Sequence, residues 1–124
     1  LKLMIKKRIH IVDAKILIMG LTFKENCPDL RNSRVFDLVH EFEGYNCRTD
    51  VFDPWVNKVE AEQEYAINLI NKPEKGKYDA VILAVNHKEF KEMTIEEIKS
   101  YGKETHVLYD IKYLLTPDQV DGRL

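Results

Sequence analysis

The chain has 124 residues, 44% hydrophobic and 32% charged, with a net charge of only −2. That length suits one domain, and its acidic and basic residues are mixed, so no face is basic enough to predict nucleic-acid binding. No apolar run is long enough to span a membrane, no signal-peptide pattern opens the chain, and Cys27 and Cys47 lack C-x-x-C spacing, which makes a cytoplasmic compartment with reduced thiols the default.

The first residue is Leu1 rather than Met, which suggests a fragment or a processed chain. Leu1 to Arg8 reads as the end of a basic helix with Leu3, Met4 and Ile5 apolar. Lys15–Met19 is the first strand. Ser33 is placed to cap a helix in which Val35, Leu38, Val39 and Phe42 recur at helical spacing, with Gly44 just past its end. Cys47–Phe52 is a second strand, stopped by Asp53-Pro54. Asn57–Glu64 is a short charged helix, Ala66–Ile70 a short apolar strand, and Asn71–Lys77 a polar turn.

Ala80–Val85 is apolar without alternation, as a central parallel strand buried on both faces requires. His87–Glu92 follows as one helical turn. Thr94 and Glu97 have the spacing of a capping box, after which Ile95, Ile98 and Tyr101 face inward and Gly102 ends the helix. His106–Tyr109 is the last core strand, and the tail beyond Leu115 has little core content. Strands alternating with helices predict an α/β sandwich around a mainly parallel sheet.

The loop from Gly20 to Ser33 carries the chemistry. It joins a strand to a helix, where backbone N–H groups and the helix dipole favour an anion, and it adds the cations Lys24 and Arg31. It is not a G-x-G-x-x-G cradle, because Thr22 stands where the second glycine would be. It reads as a phosphate site built from side chains.

Ligands of open parallel sheets bind beyond the carboxyl ends of the strands. That rule gathers Lys24, Arg31, Asp53, His87, Asp110 and Lys112 on one rim. Simpler readings stand beside it. On residue type alone Lys24 and Arg31 read as solvated loop charges, Asp53 as the cap of the turn at Pro54, and Phe23 and Trp55 as packing groups. His87 reads as a surface histidine and Cys27 as a turn residue before Pro28 rather than a nucleophile. The histidines at 10, 40, 87 and 106 show no metal spacing, and the sequence displays no Ser-His-Asp arrangement.

Gly20, Phe23, Lys24, Asp29, Arg31 and Ser33 fit the pattern G-x-x-F-K-x-x-x-x-D-x-R-x-S. With it the chain resembles the C-terminal domain of the UDP-glucose/GDP-mannose dehydrogenase family, the nucleotide-sugar 6-dehydrogenases. Asp53-Pro54 and the strand Ala80–Val85 extend the resemblance over nearly the whole chain from about Asp13. Leu21, Thr22, Glu25, Asn26, Cys27, Pro28 and Asn32 resemble the branch that oxidises UDP-N-acetylhexosamines for surface polysaccharides.

The resemblance implies a three-layer Rossmann-like sandwich. Residues 1–12 would end an inter-domain helix, and residues 13–124 would form the C-terminal UDP-sugar-binding domain. Phe23 and Lys24 would contact the UDP-sugar, and Arg31 would reach toward NAD in the cleft. The sugar C6 alcohol would be oxidised to a carboxylate with two NAD, through a thiohemiacetal and thioester on a cysteine of a preceding domain. Cys27 does not inherit that role, so the chain alone would be inactive. The family also implies an N-terminal NAD-binding domain in the same chain and a homodimer. Asp110-Ile-Lys112 departs from the D-x-R of many relatives, because a lysine lacks the bidentate fork. A receiver-like regulatory domain shares the alternating pattern, but its paired acidic residues are missing at Leu17-Ile18-Met19. A freestanding nucleotide-binding module is the remaining alternative.

Overall fold

The computed structural model describes residues 1–22, 25–26, 30, 33–67, 69–111 and 114–123. Five strands form one parallel sheet: β1 (Lys15–Met19), β2 (Arg48–Phe52), β3 (Tyr78–Leu83), β4 (Gly102–Asp110) and the short β5 (Gly122–Arg123). Their spatial order is β2-β1-β3-β4-β5. β1 and β3 lie side by side, so the connections run outward in opposite directions from that pair. The crevice between the carboxyl ends of β1 and β3 is therefore the topological switch point, where such sheets bind ligands.

Side-chain alternation divides the core into two layers. Ile16, Ile18, Ala80, Ile82 and Val107 pack on one face with Met4 of α1 (Lys2–Lys6), Val39 and Phe42 of α2 (Val35–Gly44), and Ala61 of α3 (Lys58–Tyr65). Leu17, Met19, Val81, Leu83 and Leu108 pack on the other, against Phe90 of α4 (Lys88–Lys91) and Ile98 of α5 (Ile95–Ser100). Every residue of β3 is buried: Ala80–Leu83 as the apolar run predicts, and Asp79 with its carboxylate accepting from Lys15 N at 2.8 Å. The register shifts between Tyr78 and Ala80, and Tyr78 joins the second layer although Ala80 belongs to the first. There its hydroxyl donates to Asp50 Oδ2 at 2.7 Å. Burial, reinforced by that carboxylate, pushes the Tyr78 phenol well above its usual range.

Local chemistry moves several predicted boundaries. Ser33 lies one residue before the N-cap of α2, and its hydroxyl accepts from Val35 N at 3.2 Å while donating to Leu21 O at 2.5 Å. Gly44 is the last residue of α2 rather than its terminator. The left-handed turn into β2 falls to Asn46, with φ of 62°, a conformation Asn tolerates. Ala66–Ile70 contributes one parallel bridge, Leu69 to Val51, and no strand among its described residues. Thr94 caps α5 by accepting from Glu97 N at 3.1 Å, but Gly102 opens β4 instead of ending the helix.

The tail also departs from expectation. Leu114, Leu115 and Val120 pack on the second layer, and β5 pairs with the end of β4. Asp121 holds it there. Its Oδ2 accepts from Leu108 N at 2.7 Å, its own N–H donates to Leu108 O at 2.8 Å, and Oδ1 pairs with Lys7 Nζ at 2.7 Å. Partial burial pushes the Asp121 carboxyl up, but Lys7 and the Leu108 N–H outweigh it and hold it below the usual carboxylate range. A depressed folded-state value stabilises the fold above the unfolded-state value and loses that contribution as pH falls through the folded one. Asp121→Asn is therefore expected to lower stability by about 1 kcal/mol at neutral pH. The difference from the parent should close as pH falls below about 4 in urea titrations run across pH.

Candidate functional site

Three connections leave the sheet at the switch point, and one carboxylate ties them together. Gly20 turns the chain out of β1 with φ of +105°, and a Cβ there would lie 2.6 Å from Val85 Cβ. Only glycine fits both that dihedral and that approach. The next two N–H groups, of Leu21 and Thr22, donate to Asp53 Oδ2 at 2.7 and 3.3 Å. Asp53 follows β2, and its Oδ1 accepts from Trp55 N at 2.8 Å, the turn-capping bond expected before Pro54. Asp53 is thus both the turn cap and an acceptor for the loop across the sheet.

His87, from the connection after β3, completes the cluster. Its Nε2 lies 2.8 Å from Asp53 Oδ2 and 3.2 Å from Thr22 Oγ1. Its Nδ1 accepts from the Asn26 N–H at 2.9 Å. A backbone amide only donates, so Nδ1 is unprotonated and the ring proton sits on Nε2, donating to Asp53. His87 is fully buried rather than on the surface as its isolated position suggested. Trp55 stacks over it with ring centroids 6.0 Å apart, and Phe90 lies at 5.5 Å. The Trp55 indole N–H donates to Glu89 Oε1 at 2.9 Å, and Lys88 Nζ stands 5.6 Å above the ring.

Thr22, His87 and Asp53 have the residue types of a nucleophilic triad but not its geometry. In a triad the acid orients one ring nitrogen and the hydroxyl meets the other. Here acid and hydroxyl converge on the same nitrogen, and the opposite one is occupied by a backbone amide. The cluster can hold backbone; it cannot relay a proton to a nucleophile. Nor does the loop suit a dinucleotide pyrophosphate, since the buried Thr22 already gives its N–H to Asp53.

Asp53 and His87 therefore meet as the strand-end rule requires. Asp110 is also at the carboxyl edge and fully buried, with Oδ2 accepting from Leu115 N at 2.7 Å in its own turn. Phe23, Lys24, Cys27, Asp29, Arg31 and Lys112 lie outside the described residues. Cys47 is buried with Sγ 3.3 Å from Ile11 O, and burial raises its thiol above the ordinary value, so it is no nucleophile. No cluster of metal-ligating side chains occurs, and no helix is long and apolar enough to cross a membrane, among the described residues.

The sequence passed over the contribution of Asn26. It adopts φ of 53°, and its Oδ1 accepts from Lys88 N at 2.7 Å, closing the open end of α4. The available signal was an Asn in a loop facing a short helix that has no capping side chain of its own.

The model of the UDP-glucose/GDP-mannose dehydrogenase family, UDP binding domain, matches residues 17–117. A UDP-N-acetyl-D-glucosamine 6-dehydrogenase of Pseudomonas aeruginosa is 56% identical over 99% of this chain and 29% of that protein. A Salmonella typhi protein of the same name is 49% identical over 100% of this chain and 29% of its own length. The solved structure of a UDP-D-ManNAc dehydrogenase from Pyrococcus horikoshii superposes with a TM-score of 0.72 at 23% identity, covering 98% of this chain and 28% of that one. The chain thus spans less than a third of the length of the curated relatives it matches.

Removing the shared acceptor is expected to be costly. Asp53→Ala orphans the N–H groups of Leu21, Thr22 and Trp55 and the Nε2–H of His87. A loss of about 3 kcal/mol or more is expected in urea unfolding, since each buried unpaired donor costs about 1–3 kcal/mol. A loss below 1 kcal/mol would show that water replaces the carboxylate.

Proposed function

Because the chain belongs to the UDP-glucose/GDP-mannose dehydrogenase family as its UDP-binding domain, we propose that it is the C-terminal nucleotide-sugar-binding part of an NAD-dependent UDP-N-acetylhexosamine 6-dehydrogenase. The whole protein would oxidise the sugar C6 alcohol to a carboxylate for surface polysaccharide synthesis, in a bacterial cytoplasm, as a homodimer. The observation that carries the reading is the loop bearing the family pattern: it leaves β1 at the switch point, through a glycine that tolerates no Cβ. The identity to two UDP-N-acetyl-D-glucosamine 6-dehydrogenases supports the hexosamine branch over UDP-glucose.

Within this reading, Lys24 is assigned to the diphosphate charge, Phe23 to an apolar part of the UDP-sugar, and Arg31 to NAD. Charge-assisted bonds suit these roles. NAD itself belongs to a preceding domain, in keeping with the Thr22 N–H being committed to Asp53. Residues 1–12 then form the end of the connection to that domain, and residues 13–124 the binding unit. The catalytic cysteine is likewise assigned to the preceding domain.

UDP titrated into the 15N-labelled chain is expected to shift amides around Gly20–Ser33. Lys24→Ala should weaken binding roughly tenfold, the loss of one charged contact. Shifts centred elsewhere would overturn the placement of the nucleotide. The chain alone should form no NADH from UDP-N-acetylglucosamine and NAD, whereas the longer protein containing it should; an inactive but folded longer protein, with several UDP-sugars tried, would overturn the enzyme reading.

A further inference from the structure

The geometry points to His87 as a positioning residue for nucleotide binding, acting through the loop backbone and not by touching the ligand; this rests on the nucleotide reading above. Both ring nitrogens are engaged and the side chain is fully buried, so a contact role is closed to it. What it holds is specific. Through Asp53 it shares the acceptor that fixes the N–H groups of Leu21 and Thr22. Through Nδ1 it fixes the N–H of Asn26. One imidazole thereby sets the loop on both sides of Phe23 and Lys24, which lie between those points in the sequence.

Asn26 shows why the second bond matters. Asn26, at φ of 53°, is in the left-handed region, which Asn tolerates better than other non-glycine residues but which its surroundings still have to select. Two bonds do so: its N–H to His87 Nδ1, and its Oδ1 from Lys88 N. Both come from the turn after β3, on the far side of the switch point from the loop. The loop is thus fastened to the opposite wall of the crevice that a ligand would enter. A side chain needed only to fill this space would be served by an apolar group, whereas this one accepts from the Asn26 N–H through Nδ1 and meets Asp53 Oδ2 and Thr22 Oγ1 through Nε2.

Two substitutions divide the imidazole's functions. His87→Asn places an oxygen near the position of Nδ1 and keeps an acceptor for Asn26 while losing the donor to Asp53. His87→Gln places an amide near Nε2 and keeps the donor while losing that acceptor. Both lose the ring packing against Trp55 and Phe90. For the parent chain and both variants, UDP affinity is measured by NMR titration, amide exchange is measured at Leu21, Thr22 and Asn26, and thermal unfolding is followed alongside.

In His87→Gln, exchange at Asn26 should accelerate and the dissociation constant for UDP should rise about tenfold, as it must if the binding-competent loop falls to about a tenth of the population. His87→Asn should keep slow exchange at Asn26 and an affinity within about threefold of the parent, at a comparable loss of melting temperature. Equal UDP affinity in all three proteins overturns the proposal. So does a loss that tracks melting temperature in both variants, because His87 is then core packing alone. No UDP response in the parent chain at millimolar ligand overturns the nucleotide reading and the binding role of His87 with it, an outcome told apart by its appearance before any substitution.

Discussion

A single buried carboxylate organises the carboxyl edge of this sheet. Asp53 is almost wholly removed from water, and a carboxylate in that position persists only if its oxygens are fully hydrogen-bonded. Three backbone N–H groups and one imidazole N–H supply those bonds, from connections that follow three different strands. Among the described residues, its donors are backbone N–H groups and an imidazole, and no lysine or arginine is paired with it. The arrangement fixes the direction in which each connection leaves its strand, and with it the shape of the crevice.

The sheet provides the rigid base for this. β1 and β3 are apolar on both faces and each contributes alternate side chains to two separate cores. Full burial of an aliphatic side chain contributes about 1.5–3 kcal/mol, and the central strands carry such side chains along their length. Their ends are consequently held firmly, and hydrogen bonds made just beyond them keep their geometry. Polar precision at the edge depends on apolar packing underneath it.

The central strands were legible because two-sided burial leaves an uninterrupted apolar run, as in Ala80–Val85, and amphipathic spacing gave α2. The strand order was not, since no local pattern specifies which neighbour β3 takes. Asp53 was legible as a turn cap from the following proline, but its second carboxylate oxygen answers to residues 31 and 32 positions earlier. His87 was misplaced for the same reason. Residue type alone read as surface, while its burial comes from Trp55, Asp53 and Thr22, distant in sequence. Among its described residues the short apolar run Ala66–Ile70 makes one bridge at the sheet margin and no strand. The family pattern identified the loop without revealing what anchors it.

The left-handed residue in that loop has a consequence for how this fold can be rebuilt. Asn26 joins a loop that begins after β1 to the connection that follows β3, and its side chain closes the first helix of that connection, α4. Connections at the rim of a parallel sheet are ordinarily interchangeable parts, lengthened or replaced one at a time to change specificity. Here they form a set. A loop transplanted into this position without an Asn at its sixth residue past Gly20, or moved to a host without the matching aspartate and histidine, would arrive without its fastenings. Recombination among related domains would succeed in blocks that carry all three connections together, and shorter crossovers would leave mismatched halves.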